Sequence, residues 1–265
     1  MFPDVRNHPE YRSPQSQPWN EQLAAAAGKY EFTWNQDIEG KPAEDALTEK
    51  LAAVMRGKVL DVGCGHGSYT NRWADRVEEI VGFDLTAGYL ETAKLAGKPN
   101  ARFVQGSTKE SLPFPDHYFD IAYTKKGPTS WYREGNRVVR PGGTLLLFHP
   151  GDGNGEGAEL GRCFPGLFDP PAPGTPILDR IVERLEASGL RVNELKRLQE
   201  TVWIPSAEDI LALVCFGQRD TFAEYVRAFC YERIKAEFEK HATGRGIRTT
   251  GFYYLIEATP GRQAK

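Results

Sequence analysis

From Lys58 to Phe148 the chain switches repeatedly between short apolar runs and amphipathic stretches. No other feature limits its fold as strongly, because this alternation is how a parallel sheet built from strand–helix–strand units reads in sequence. The runs predict strands near Val59–Val62, Glu79–Phe83, Arg102–Gln105, Ile121–Thr124 and Thr144–Phe148. Helices are expected near Tyr69–Arg76, Ala87–Leu95 and Ser130–Val139. "RPGG", Arg140 to Gly143, reads as the turn into the fifth strand. Five such strands suffice for a doubly wound sheet.

The flanks are less regular. Met1 to about Pro18 is polar and proline-rich and reads as an extended arm, followed by a short helix from Trp19 to Ala27 that Gly28 ends. "KYEFTW", Lys29 to Trp34, is an aromatic cluster without a clear period. Ala43 to Met55 carries Leu47, Leu51, Ala52 and Met55 on one helical stripe, a face to lay beside the first strand. Beyond Phe148, "GDGNGEG" and "DPPAPGTP" are loops, Ile177–Ser188 is a helix and Arg191–Gln199 a candidate strand. Ser206 is placed to cap a helix with Asp209 three residues on. Thr221–His241 reads as a long helix and Thr249–Thr259 as a closing strand. The expected organisation is an N-terminal lid over residues 1–57 and a larger domain over 58–265, with 200–242 as an inserted helical cap.

Length and charge narrow the function. A chain of 265 residues accommodates one large domain with elaborations, and a net charge of -3 supplies no general attraction to nucleic acid. Cys64, Cys163, Cys215 and Cys230 are too dispersed for a zinc site or a disulfide framework, so reduced thiols in the cytoplasm and no metal are expected. The first residues lack an export signal, and no apolar run has membrane-spanning length.

The chemistry concentrates in "VLDVGCGHGSYT", Val59 to Thr70. Glycines after a first strand let a ligand approach bare backbone at the carboxyl edge of a sheet. The spacing departs from a dinucleotide fingerprint, since Gly67 comes one position early and Ser68 stands at the third glycine site. No lysine follows as in a phosphate-binding loop. Asp61 precedes the glycines instead, and a carboxylate there suits a cationic or hydroxyl-rich ligand better than a phosphate.

This stretch resembles the first motif of class I S-adenosylmethionine-dependent methyltransferases of the small-molecule, UbiE-like type. "VGFDLTAGYLETAK", "GSTKESLPFPDHYFDIAY" and "VVRPGGTLLL" resemble the subsequent motifs in order, so the likeness runs from about Lys58 to Phe148. It implies a Rossmann-like, doubly wound, mostly parallel seven-stranded sheet with an antiparallel final strand, and S-adenosyl-L-methionine as cofactor, left as S-adenosyl-L-homocysteine. By position, Asp61 resembles the acid that orients the cofactor's amino-acid end. Gly63, Cys64 and Gly65 resemble the loop that admits its backbone and sugar. Asp84 resembles the acid on both ribose hydroxyls, a task suited to a carboxylate because it accepts two donors at once. Leu85 would flank the adenine. Where many relatives read G-D-A, this chain reads Gly106, Ser107, Thr108, so a hydroxyl replaces the acid that faces the adenine amino group. Tyr123 is expected to border the same site.

The resemblance singles out no catalytic residue, since transfer from a sulfonium needs chiefly an aligned acceptor and a dry site. The candidates are His149, as a general base titrating near neutrality, and Lys125 and Tyr123 at the end of the fourth strand. Tyr30, Phe32 and Trp34 offer an aromatic clamp from the lid, and Trp203 and Pro205 are expected at the entrance of the acceptor pocket. The expected partner is a small-molecule acceptor methylated on oxygen, nitrogen or carbon. "RVVRPGGTLLLFHPGDG" is also similar to ribosomal-RNA guanine methyltransferases, which makes RNA the alternative acceptor. A cofactor-binding protein without turnover is the third reading.

Overall fold

The computed structural model describes residues 2–261. Met1, in the expected arm, and residues 262–265, at the end of the expected larger domain, lie outside the described residues. In chain order the elements are Gln17–Ala27 (α1), Asp37–Glu39 (β1), Ala43–Val54 (α2), Lys58–Val62 (β2), Ser68–Trp73 (α3), Glu79–Asp84 (β3), Ala87–Leu95 (α4), Ala101–Gln105 (β4), Phe119–Lys125 (β5), Tyr132–Val138 (α5), Val139–Pro150 (β6), Glu159–Cys163 (α6), Pro176–Ser188 (α7), Arg191–Ile204 (β7), Ala207–Cys215 (α8), Asp220–His241 (α9) and Ile247–Thr259 (β8).

The strands are hydrogen-bonded neighbours in the order β1-β7-β8-β6-β5-β2-β3-β4. From β4 to β6 all pairs are parallel, while β8 joins β6 antiparallel, as expected of the final strand. The sheet has eight strands where seven are expected. The extra one, β1, spans three residues and pairs Ile38 with Val202, too brief an alternation to stand out in sequence. Chain order reverses at β2, with β3 and β4 to one side and β5 and β6 to the other. That reversal opens a crevice outside the carboxyl ends of β2 and β5, the usual ligand position in such sheets.

The chain divides into two compact units. One comprises Met1–Pro42, Asp152–Thr175 and Gln199–Phe252; the other comprises Ala43–Gly151, Pro176–Leu198 and Tyr253–Lys265. The expected boundary after residue 57 is therefore displaced. Ala43, Leu47 and Leu51 of α2 bury in one cluster with Val59, Ile80 and Ile121, so burial of its apolar stripe assigns α2 to the sheet. Leu51 is fully buried there. Leu51→Ala is expected to lose ~2–5 kcal/mol of stability, read from the midpoint of urea denaturation. The loop segment 152–175 groups with the arm and the helices expected as a cap.

In that first unit, Phe222, Val226, Cys230 and Ile234 form a buried stripe along α9 and share a cluster with Phe2, Val5 and Phe164. The Ser206 hydroxyl accepts from the Asp209 amide at 3.2 Å, capping α8 as its spacing predicts. In the second unit, "RPGG" is not a turn before the strand but lies inside β6. The register passes from Phe119↔Val139 to Ile121↔Thr144, so these residues form a bulge, and Gly142 supplies its positive φ of 77°. Among the described residues, no helix is long and apolar enough to cross a membrane.

Candidate cofactor-binding site

The loop after β2 places Gly63, Gly65 and Gly67 at φ of 81°, 55° and 76°. A Cβ on Gly63 would sit 2.9 Å from Pro128 Cδ and 3.0 Å from Gly127 Cα, so this glycine permits close contact with the loop after β5. A Cβ on Gly65 would meet nothing within 4 Å. Its open face is bare backbone on which a ligand could lie, and its amide donates to Asp84 Oδ2 at 2.9 Å.

Asp84 ends β3. Its second oxygen, Oδ1, accepts from the Thr86 amide at 2.8 Å. Two backbone donors hold the carboxylate in one orientation, and each oxygen keeps a further lone pair for a hydroxyl donor. Leu85, beside it, is 41% exposed, an apolar face in solvent next to a fixed acid.

Asp61 lies within β2 and is only 2% exposed. Its Oδ2 accepts from Thr70 Oγ1 at 2.7 Å and from the Tyr123 hydroxyl at 2.8 Å. Burial pushes its carboxyl up to about 6, against the opposing pull of these two hydrogen bonds. The Tyr123 phenol, fully buried on β5, is pushed well above its ordinary range by burial and by the Asp61 charge, so it keeps its proton and donates. Tyr123 is thus a support beneath Asp61, and burial removes it from the role of catalytic candidate.

The Cys64 side chain is buried with Leu90, Ala93 and Phe103, and burial raises its thiol well above the ordinary value. A Cβ on Gly106 would collide with the Phe83 ring at 2.6 Å. Ser107 Oγ accepts from the Lys109 amide at 3.2 Å within its own loop, and Thr108 Oγ1 shares a 2.6 Å hydrogen bond with Ser130, which ties this loop to the one after β5. Lys125 Nζ is ion-paired to Glu44 at 2.9 Å and lies 4.2 Å from the centre of the Tyr69 ring. His149 is 4% exposed and bonded to the Tyr132 hydroxyl at 2.6 Å. Burial lowers its pKa to about 4, which leaves a neutral, enclosed imidazole in place of the expected general base.

Elsewhere, in the first unit, Phe32 and Trp34 pack on Phe216 with ring centres 5.5 and 5.0 Å away, and Tyr30 on Phe216 at 5.7 Å. Trp203 donates to Glu39 at 3.1 Å and carries the Arg245 guanidinium 4.7 Å from its ring centre. Each of these aromatics has a packing role within its own unit.

Three contributors escape a reading of motifs. Thr70 bonds Asp61, Thr124 Oγ1 donates to the Val62 carbonyl at 2.6 Å, and Gly127 abuts Gly63. Thr70 closes the quoted glycine stretch, but its facing becomes visible only once α3 is folded back over β2.

Residues 60–147 match the family profile "Methyltransferase domain". This segment is similar to a methyltransferase domain, and the sheet that contains it has the Rossmann-like arrangement. It is similar to the malonyl-acyl-carrier-protein O-methyltransferase of Pseudescherichia vulneris, with 30% identity over 133 residues, 47% of this chain and 52% of that protein. The chain spans about half the length of the curated relatives it matches. A functionally unknown protein of Deinococcus radiodurans R1 shares the fold with a TM-score of 0.64 at 20% identity, over 92% of this chain and all of that one. So does a geranyl diphosphate C-methyltransferase of Streptomyces coelicolor A3(2), solved with Mg2+, geranyl diphosphate and S-adenosyl-L-homocysteine, at a TM-score of 0.51 and 16% identity over 93% of this chain and 100% of that one.

Proposed function

We propose that this protein transfers a methyl group from S-adenosyl-L-methionine to a small-molecule acceptor. The observation that carries the reading is the arrangement of two carboxylates, Asp61 and Asp84, around one open glycine backbone, with Asp84 already oriented by the Gly65 and Thr86 amides. A phosphate would be repelled there. A ligand bearing an ammonium and a ribose diol matches both acids, and the named structural neighbour was solved with such a ligand.

The bound cofactor would supply a methyl group already activated by its sulfonium charge. Asp84 accepts the ribose hydroxyls, Gly65 presents its bare face, and Leu85 covers the adenine's apolar surface. Asp61, held by Thr70 and Tyr123, attracts the ammonium end. The chain's contribution is therefore orientation and exclusion of water, which lowers the barrier by holding the acceptor in line behind the methyl.

The test is calorimetric titration with S-adenosyl-L-homocysteine, followed by transfer of labelled methyl to a metabolite extract and, separately, to total RNA. Binding with label in the extract is expected. Label in RNA alone would transfer the reading to the RNA alternative, binding without turnover would leave a non-catalytic cofactor protein, and absence of binding would end the proposal.

A further inference from the structure

His149 and Tyr132 form a buried polar pair in the second unit. The bond between Tyr132 Oη and His149 Nε2 is 2.6 Å. The ring also bonds the backbone of Gly127 in a sense that favours the protonated ring, so its other nitrogen donates to the Gly127 carbonyl. This pattern assigns the imidazole proton to Nδ1 and the donated hydrogen of the Tyr132 bond to the phenol.

Gly127 lies in the turn after β5, and three further features define that turn. Lys126 adopts a φ of 59°, a left-handed conformation unusual for a residue with a side chain. The Lys126 amide donates to the Phe148 carbonyl at 2.6 Å. On its far side the turn meets the glycine loop backbone to backbone: a Cβ on Gly127 would be 2.8 Å from the Val62 carbonyl oxygen and 3.3 Å from Gly63 Cα. A continuous chain of contacts thus leads from Tyr132 through His149 and Gly127 to Gly63, with no spare space at the last step.

We infer that His149, oriented by Tyr132, is a positioning residue for the methyl donor: it holds the Gly127 turn against Gly63 and so sets where the 63–67 loop presents its backbone. This rests on reading that loop as the donor site. A polar pair buried so deeply costs stability unless every group is satisfied, and here each has its partner. A leucine of similar volume would fill the space without fixing the turn.

The experiment compares His149→Leu, His149→Asn and Tyr132→Phe with the unaltered protein by calorimetric titration of S-adenosyl-L-homocysteine, alongside each variant's unfolding midpoint. His149→Leu is expected to bind about tenfold more weakly, on the scale of one lost hydrogen bond. His149→Asn, whose amide can still donate to the Gly127 carbonyl, should recover most of that loss, and Tyr132→Phe should fall between them. Folded His149→Leu with unchanged affinity would overturn the inference. So would equal losses in the leucine and asparagine variants that track their unfolding midpoints, because that is the signature of a purely structural pair. Should His149→Leu not fold, the ordering of His149→Asn above Tyr132→Phe decides, and the reverse order overturns it. Absence of binding by the unaltered protein would refute the donor site itself.

Discussion

Asp61→Asn is expected to make the protein more stable at neutral pH and, in the same molecule, a poorer binder of S-adenosylmethionine. The carboxyl of Asp61 titrates at about 6 in the folded protein, above its ordinary 3.8, because burial opposes its charge. Folding therefore favours the protonated form. The stabilisation is complete below about pH 3.8 and is lost as pH rises through about 6, so that at neutral pH the buried charge costs roughly 3 kcal/mol. Asparagine removes the charge. Both observed donors, Thr70 and Tyr123, approach the same oxygen, so the amide carbonyl can take its place. For a chain of this size the unfolding midpoint at pH 7.5 should rise by about 5 °C or more in scanning calorimetry.

Binding should move the opposite way, since in the proposed site a neutral amide would not attract the donor's ammonium group. In the unaltered protein, affinity should decline by about tenfold per pH unit below about 6 as Asp61 takes up its proton. An unchanged midpoint would contradict the cost of burial, and an unchanged affinity would remove Asp61 from the donor site.

Asp84→Ala carries the second large effect. Hydrogen bonds to a charged group are worth about 1.5–3 kcal/mol each, so losing the two proposed ribose contacts should weaken donor binding by about 100-fold or more. The Gly65 and Thr86 amides also lose the acceptor that orders them. Because Asp84 itself is only half-buried at the end of β3, water can take the place of its carboxylate, and fold stability should change less than affinity. Titration with S-adenosyl-L-homocysteine beside an unfolding curve separates the two; equal affinity would refute the ribose assignment.

Much of the sheet unit was readable from residue pattern. Burial on two faces makes β2, β3 and β5 nearly continuous apolar runs, and the helix α4 falls on the expected Ala87–Leu95. What pattern missed depends on partners distant in sequence. β1 exists because Ile38 pairs with Val202, and α2 leaves the expected lid because Leu47 and Leu51 bury under the sheet. "RPGG" reads as a turn in sequence because Gly and Pro mark both turns and bulges, and only pairing with β5 distinguishes them.

The candidate site divides along the same line. Residue type and order by themselves determined the alternating α/β architecture, the glycine loop, and the two acids that bracket it, because each is a local pattern with a local cause. Tertiary structure alone decided which of those groups face outward. It enclosed Tyr123 and His149, ion-paired Lys125 with Glu44, and brought Gly127 against Gly63. The physical reason is that burial, and with it charge state and hydrogen-bond partnership, is set by what other strands and helices pack against a residue, which the residue's own neighbours in sequence do not encode.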